Sequence, residues 1–200
     1  MFLHVFRCLG YVVRGMWRPK VGPLDTCRSR VYVGFRKLDA FLHVNNSRYL
    51  EVFEFARWEH GVRSGVFRHR DILKCFPVIT NIHVQYVSQL KAFQWVTVET
   101  TVRSVHDKTL LLEQRILFRD PKSPTGESIA AAAVVKVIFL ANGKTVDVPT
   151  AMRFHGSEGV SNALPKSSSA QYDAPDIPGW CASLNKGDDA WRLALRPPKP

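Results

Sequence analysis

Asp39 and His43 stand four residues apart in the run Leu38-Asp39-Ala40-Phe41-Leu42-His43-Val44-Asn45-Asn46-Ser47-Arg48-Tyr49-Leu50. A carboxylate serves as general base or as nucleophile. An imidazole near neutrality can hold a proton for chemistry, orient a substrate, or simply hydrogen-bond its own loop. The residues that follow read as the start of a helix: Asn46 is a good N-cap, and Tyr49, Leu50, Phe53 and Ala56 then recur at helical spacing. The first N–H groups of a helix lack intrahelical partners and carry the positive end of its dipole. An ester or thioester carbonyl set against them would be polarised as in an oxyanion hole, with Asp39 upstream as base or nucleophile. Any Asp that caps backbone donors before a helix meets the same pattern, so the spacing alone leaves both readings open.

Further polar residues lie along this helix. Glu54, about two turns in, could face such a site or pair with Arg57 three residues on. Arg48 and Arg57 could meet phosphates or occupy a solvated face, and Trp58 reads as packing. Asn45 and Asn46 read first as turn and cap residues. Asn45-Asn46-Ser47 also spells a glycosylation sequon, which a buried helix start disfavours.

The elements that must position these groups are legible from periodicity. Val31, Val33 and Phe35 alternate with Tyr32, Gly34 and Arg36 as in a strand. The helix from Asn46 has Gly61 as a plausible stop, and a second short helix is expected over 64–74. After Pro77 the period changes to two, giving four strands joined by short turns, among them His106-Asp107-Lys108, where Asp107 shapes a hairpin. The stretch 127–141 is almost continuously apolar, as in a strand covered on both faces. Hairpin-sized connections mean an antiparallel sheet, and the one long helix must bury its stripe on it: an α+β fold. Expected boundaries are 1–25 for a basic amphipathic N-terminal segment, 26–150 for the folded domain and 151–200 for a loosely structured tail. That tail holds half of the chain's 12 prolines and a Ser167-Ser168-Ser169 run.

The chain has 200 residues, 46% of them hydrophobic, enough for one sizeable core. Its net charge of +11 is uneven: residues 1–37 hold eight basic residues against Asp25 alone. The basicity therefore belongs to one end, and with no visible basic stripe interleaved with aromatics on the sheet, nucleic acid is not an expected partner. Cys8, Cys27, Cys75 and Cys181 form no close pair and no two histidines are spaced as H-x-x-x-H, so neither a disulfide framework nor a metal site is expected. Unpaired thiols fit an intracellular compartment, cytoplasmic or membrane-associated, with a mitochondrial one as the alternative.

Residues 1–18 form an acid-free amphipathic pattern. Phe2, Val5, Phe6, Leu9, Val12, Val13 and Met16 share one helical face, while Arg7, Arg14 and Arg18 gather on the other. Three readings fit: an import sequence, a helix on a membrane surface, and a helix docked on its own domain.

The D-x-x-x-H-V-N-N-x-R-Y-L run, followed by Glu54-Phe55-Ala56-Arg57, resembles the hotdog-fold thioesterases of the 4-hydroxybenzoyl-CoA thioesterase type. Within them it is most similar to the group called thioesterase superfamily member six and its bacterial relatives. Leu24-Asp25-Thr26, Arg63-Ser64-Gly65, Gln85-Tyr86, Leu90-Lys91-Ala92-Phe93, Leu112-Glu113-Gln114 and Pro178-Gly179-Trp180 add to the likeness. The resemblance implies a hotdog, an antiparallel sheet wrapped around one long central helix, usually paired into a homodimer or dimer of dimers with sites at the subunit interface. It implies that Asp39 is the catalytic base or nucleophile acting on an acyl-CoA, with no metal or bound cofactor. His43, Asn45, Asn46 and Ser47 then position the substrate, and Glu54, Arg48 and Arg57 are secondary candidates, the arginines towards CoA phosphates. Many members have Gly near position 42, where this chain has Leu42. The alternative is a hotdog that binds acyl-CoA or lipid at a membrane surface without turnover.

Overall fold

Odd-numbered residues from Cys27 to Val33 are apolar or small and face inward, while Arg28, Arg30 and Tyr32 face out, so this segment forms the first strand, β1 (Cys27–Val33). It starts earlier than the apolar alternation alone suggests because Ser29 and Cys27 are small enough to continue the buried face. The computed structural model describes residues 2–67, 75–106, 108–154 and 171–173. Helix α1 (Phe2–Trp17) precedes β1, and a 3-10 turn at Phe35–Lys37 follows it. Then come α2 (Asn46–Arg63), β2 (Cys75–Tyr86), β3 (Gln94–His106), β4 (Thr109–Arg119), β5 (Glu127–Ala141), β6 (Lys144–Val146), α3 (Val148–Phe154) and β7 (Gln171–Asp173).

The sheet is antiparallel throughout, in the order β1-β3-β4-β5-β2, with β6 on β5 and β7 on β3. It curls around α2, which gives the α+β hotdog that the resemblance implied. Helix α2 is buried on more than a single stripe: Val52, Phe53, Phe55, Ala56 and Glu59 are fully inaccessible. The sheet covers one side and α1 the other, so its polar and apolar residues do not segregate as on a surface helix. The core has two parts. One surrounds Phe53, Phe55, Val98 and Ile116, and the other gathers Leu112, Val137, Phe139 and Met152 at the far end of the sheet.

Several boundaries differ from the expected ones. The N-cap of α2 is Asn45, whose side chain accepts from the Ser47 N–H, and not Asn46. Gly61 lies inside α2. A Cβ there would strike the Phe67 ring, so the glycine permits close packing, and Gly65, with φ +83°, follows the helix end as a left-handed residue. Residues 64–67 form turns where a second helix was expected, and 68–74 lie outside the described residues. The boundary at 150 falls within α3, whose Ala151 and Met152 are buried, and β7 pairs with β3, so 151–200 is not loosely structured throughout. Helix propensity does not register either feature, because both are held by tertiary burial and sheet pairing. Asp107, Cys181 and Pro178-Gly179-Trp180 lie outside the described residues. The Asn142-Gly143 turn, at φ +50° and +74°, returns the chain as β6.

Helix α1 docks parallel to α2 through its polar side. Arg7 donates to Glu51 at 2.7 Å, Arg14 to Glu59 from Nε at 2.9 Å, and His4 Nε2 lies 3.1 Å from Glu54. Gly15 lets the backbones approach at Glu59 and Val62. No helix among the described residues is long and apolar enough to cross a membrane.

Candidate active site at the start of the central helix

The residues between Leu38 and Asn45 fold into a closed turn. Leu38 and Val44 bridge, the Asp39 N–H donates to the His43 carbonyl at 2.8 Å, and the Leu42 N–H returns to the Asp39 carbonyl at 3.1 Å. Oδ1 of Asp39 accepts from the N–H groups of Phe41 at 2.9 Å and His43 at 3.3 Å. Asp39 thus does cap backbone donors, but with one oxygen only, and among the described residues Oδ2 has no hydrogen bond. His43, Phe41 and Leu42 are exposed around it, the last two at 80% and 76%.

Leu42 sits at φ +59°. That left-handed conformation is costly for a residue with a Cβ and free for glycine, so Leu42 holds a strain here that glycine would not.

The turn is braced from two sides. The Asn45 N–H donates to the Lys37 carbonyl at 2.9 Å, and the Val44 N–H to the Leu90 carbonyl at 3.4 Å. Tyr49 accepts the Leu90 N–H at 3.1 Å, and the Tyr86 hydroxyl donates to the Asn46 carbonyl at 3.1 Å, the two rings meeting edge to face. The start of α2 is thereby pinned to the end of β2 and the segment after it. Asn45 Oδ1 also accepts the Ser47 hydroxyl at 2.7 Å. The Ser47 N–H is therefore engaged within the chain, while the N–H of Asn46, at the first helical position, has no intrahelical partner.

The structure brings Asp39, His43, Asn45, Asn46 and Ser47 into this one turn. Of the three secondary candidates it places Arg48 beside the turn and Glu54 and Arg57 elsewhere. Arg48 is half exposed and 3.5 Å from Glu51, at the mouth of the turn. Glu51 in turn meets Lys37 at 2.9 Å and Arg7. Burial pushes its carboxyl up, but the Lys37 ammonium, with Arg7 and Arg48, more than offsets that and holds it below its ordinary value. Glu54 does not ion-pair with Arg57. It lies against His4, Cys8 Sγ at 3.9 Å and Trp58 Nε1 at 3.4 Å. Arg57 points inward and donates to Gln114 Oε1 at 2.6 Å, and burial lowers its pKa to about 10 against the opposing pull of Glu54.

The imidazole, thiol and carboxylate of His4, Cys8 and Glu54 lie within 4.8 Å of one another, a donor set of the kind that holds transition metals. Its sequence signal is the H-x-x-x-C spacing of His4 and Cys8, which an H-x-x-x-H pattern does not include. Burial, then Glu54 and Glu51, push the Cys8 thiol up to about 11, and the three groups form hydrogen-bonding links between α1 and α2.

A cavity of about 780 Å³, invisible to motif reading, lies between the second half of α2 and the far end of the sheet, bordered by α3. Trp58, Phe67, Val102, Leu110, Phe139 and Met152 line it, with Glu54, Arg57 and His60 as its polar groups. Its size and apolar walls are those of a ligand pocket. His60 is buried, and its Nε2 has no hydrogen bond among the described residues. Burial and the neighbouring Arg63 lower its pKa to about 4, so it is neutral at pH 7.

On the outer face of the sheet Arg30 lies over the Trp95 ring, 5.1 Å from its centre, beside Tyr32, one pairing and not a basic stripe. Arg28, next on that face, is held by Glu127 and Glu99.

A sheet curled around a central helix, with a carboxylate in the turn that leads into that helix, defines the hotdog thioesterase class. The model of the thioesterase-like superfamily matches residues 33–163, and this chain belongs to that superfamily. It is 30% identical to the protein THEM6 of Xenopus laevis over 115 residues, which cover 54% of this chain and 56% of that protein. It is also 30% identical to the long-chain acyl-CoA thioesterase FadM of Escherichia coli over 100 residues, 50% of this chain and 73% of the enzyme. The chain thus spans little more than half the length of the THEM6 relative it matches. Among solved structures, the 4-hydroxybenzoyl-CoA thioesterase of Pseudomonas sp. strain CBS-3 superposes with a TM-score of 0.56 at 14% identity, over 65% of this chain and 98% of the enzyme. That likeness is one of fold.

Proposed function

We propose that the chain hydrolyses the thioester of an acyl-CoA to a free acid and CoA. The observation that carries this reading is the Asp39 carboxylate, held through Oδ1 in a closed turn ahead of the central helix, with Oδ2 left for chemistry. The substrate carbonyl oxygen takes the N–H of Asn46 and the positive end of the α2 dipole, which stabilise the charge as it develops. Oδ2 removes a proton from water as that water attacks the carbonyl carbon. The C–S bond breaks, and CoA leaves as the thiol after taking up the proton. In the nucleophilic variant Oδ2 itself attacks the carbonyl carbon, and the C–S bond breaks to release CoA as thiolate, which takes a proton from solvent. Water then hydrolyses the acyl anhydride to the free acid and the Asp39 carboxylate. His43, exposed beside Asp39, orients the thioester, and Arg48 at the mouth of the turn meets the CoA phosphates. The reaction needs no metal and no cofactor beyond the CoA of the substrate.

FadM is named a long-chain acyl-CoA thioesterase, and the apolar cavity supports the same substrate class here. The end strand β2, with Phe76, Ile79 and Tyr86 exposed, supports assembly of two copies into one continuous sheet.

The test is thiol release from a panel of acyl-CoAs by the purified chain and by Asp39→Asn. Turnover by the wild type and at least a hundredfold loss in the variant are expected. Equal rates for the two proteins would remove Asp39 from the mechanism.

A further inference from the structure

An amphipathic helix normally turns its apolar stripe to the core and its charges to water. Helix α1 does the reverse. His4, Arg7 and Arg14 face α2, where Glu51, Glu54 and Glu59 receive them, and Tyr11 stacks on Phe55 with ring centres 4.8 Å apart. Leu3, Val5, Phe6, Leu9, Val13, Met16 and Trp17 are left on the outside, Phe6 at 66% and Trp17 at 87% exposure. The reversal follows from the partner. The side of α2 that meets α1 carries three glutamates, and taking those carboxylates from water requires cations. Once the basic side of α1 is committed to them, its apolar side has no place but the surface.

We propose that this face is an attachment surface for an anionic lipid bilayer, with α1 lying in the interface plane. Charge selects the occupant. Residues 1–24 contain no Asp or Glu, and every acid that α1 meets lies on its inner side and is already engaged. Arg18 and Lys20 follow Trp17 at the end of the apolar stripe, where an aromatic ring and adjacent cations suit the headgroup layer. A second copy seated on the same face would bring two such cationic ends into one interface, whereas anionic headgroups neutralise them. An exposed apolar stripe on one helix, flanked by cations, is the pattern of a peripheral anchor.

The test is sedimentation of the full chain with phosphatidylcholine vesicles and with vesicles that also contain phosphatidylglycerol. Binding to the mixed vesicles, weakened by salt and at least tenfold stronger than to phosphatidylcholine alone, is expected. The double variant Phe6→Asp, Leu9→Asp should lose it at least tenfold while its melting temperature holds, since both side chains are exposed. Arg18→Gln should lose roughly fivefold. The proposal is overturned if the chain stays in the supernatant with both lipids, or if the double variant binds as the wild type does. It is equally overturned if the double variant instead converts a dimer to a monomer, which would assign the face to a second copy.

Discussion

Arg14 on α1 donates from Nε to Oε2 of Glu59 on α2 at 2.9 Å, and the Glu59 side chain is wholly buried. Arg63, one turn on from Glu59, lies 3.4 Å from its other oxygen and also donates to the carbonyls of Pro19 and Arg28. One buried carboxylate therefore joins the N-terminal helix, the central helix and the start of β1.

The two sides of this arrangement are not equivalent. Glu59→Gln leaves two guanidinium groups facing each other without a counter-charge and should cost on the order of 3 kcal/mol, whereas Arg14→Met leaves Arg63 in place and should cost about 1 kcal/mol. Urea unfolding of both variants checks the order. Equal losses would mean that Arg63 contributes nothing to holding Glu59.

His60 makes stability depend on pH in a definite window. Its pKa is about 4 in the folded chain and near 6.5 when free, so the unfolded state binds the extra proton between those values. Stability should fall as pH drops from about 6.5 to about 4, by on the order of 3 kcal/mol from this group. A His60→Gln variant should show a shallower decline than wild type across that window in chemical unfolding at fixed pH steps. Parallel curves would show that His60 titrates normally.

Leu42 carries a left-handed backbone with its side chain in solvent. Replacement by glycine relieves the conformational cost without losing packing and should stabilise by up to about 1 kcal/mol, less the added freedom of the unfolded chain. Leu42→Val should destabilise, because a β-branched residue tolerates that region worst. Thermal melting of the three proteins decides whether the turn holds the stated conformation.

From Asn46 to Glu54, the first helix residue at the cavity, α2 rises roughly 12 Å. With C–C bonds near 1.5 Å, an extended chain needs about ten carbons to cover that distance. Hydrolysis should therefore rise steeply for acyl groups longer than about ten carbons, since only those bury methylenes in the cavity, each worth about 0.8 kcal/mol. Met152→Trp, which fills part of the cavity, should shift the optimum to shorter chains, as read from kcat/KM along the series. A profile that is flat with length would detach the cavity from the reaction.

Much of the fold was legible because its signals are local. Hydrophobic alternation marks β1 to β4, an almost continuous apolar run marks β5, hairpin-length connections make the sheet antiparallel, and helical spacing marks α1 and α2. The order that sets β2 against β5 is decided by the closing of the sheet. The turn around Asp39 was legible for the same reason, as Asp39, His43 and Asn45 to Ser47 are neighbours in the chain and fold on one another. Asn45 replaced Asn46 as the cap because either side chain can accept a helix N–H, and only backbone geometry selects between them. Glu54 and Arg57 read as an i, i+3 pair, yet His4 and Cys8 on α1 and Gln114 on β4, distant in sequence, take one each.

By itself, the sequence determined an antiparallel α+β layering of one long helix on a sheet, the carboxylate ahead of that helix and the amphipathic character of residues 1–18. Those features depend on the order and spacing of residues along a few turns or one strand. Only the tertiary structure decided which face of α1 turns inward, because that depends on Glu51, Glu54 and Glu59 more than forty residues away. It alone assembled the cavity, whose walls come from helices and strands that meet only when the sheet closes around α2.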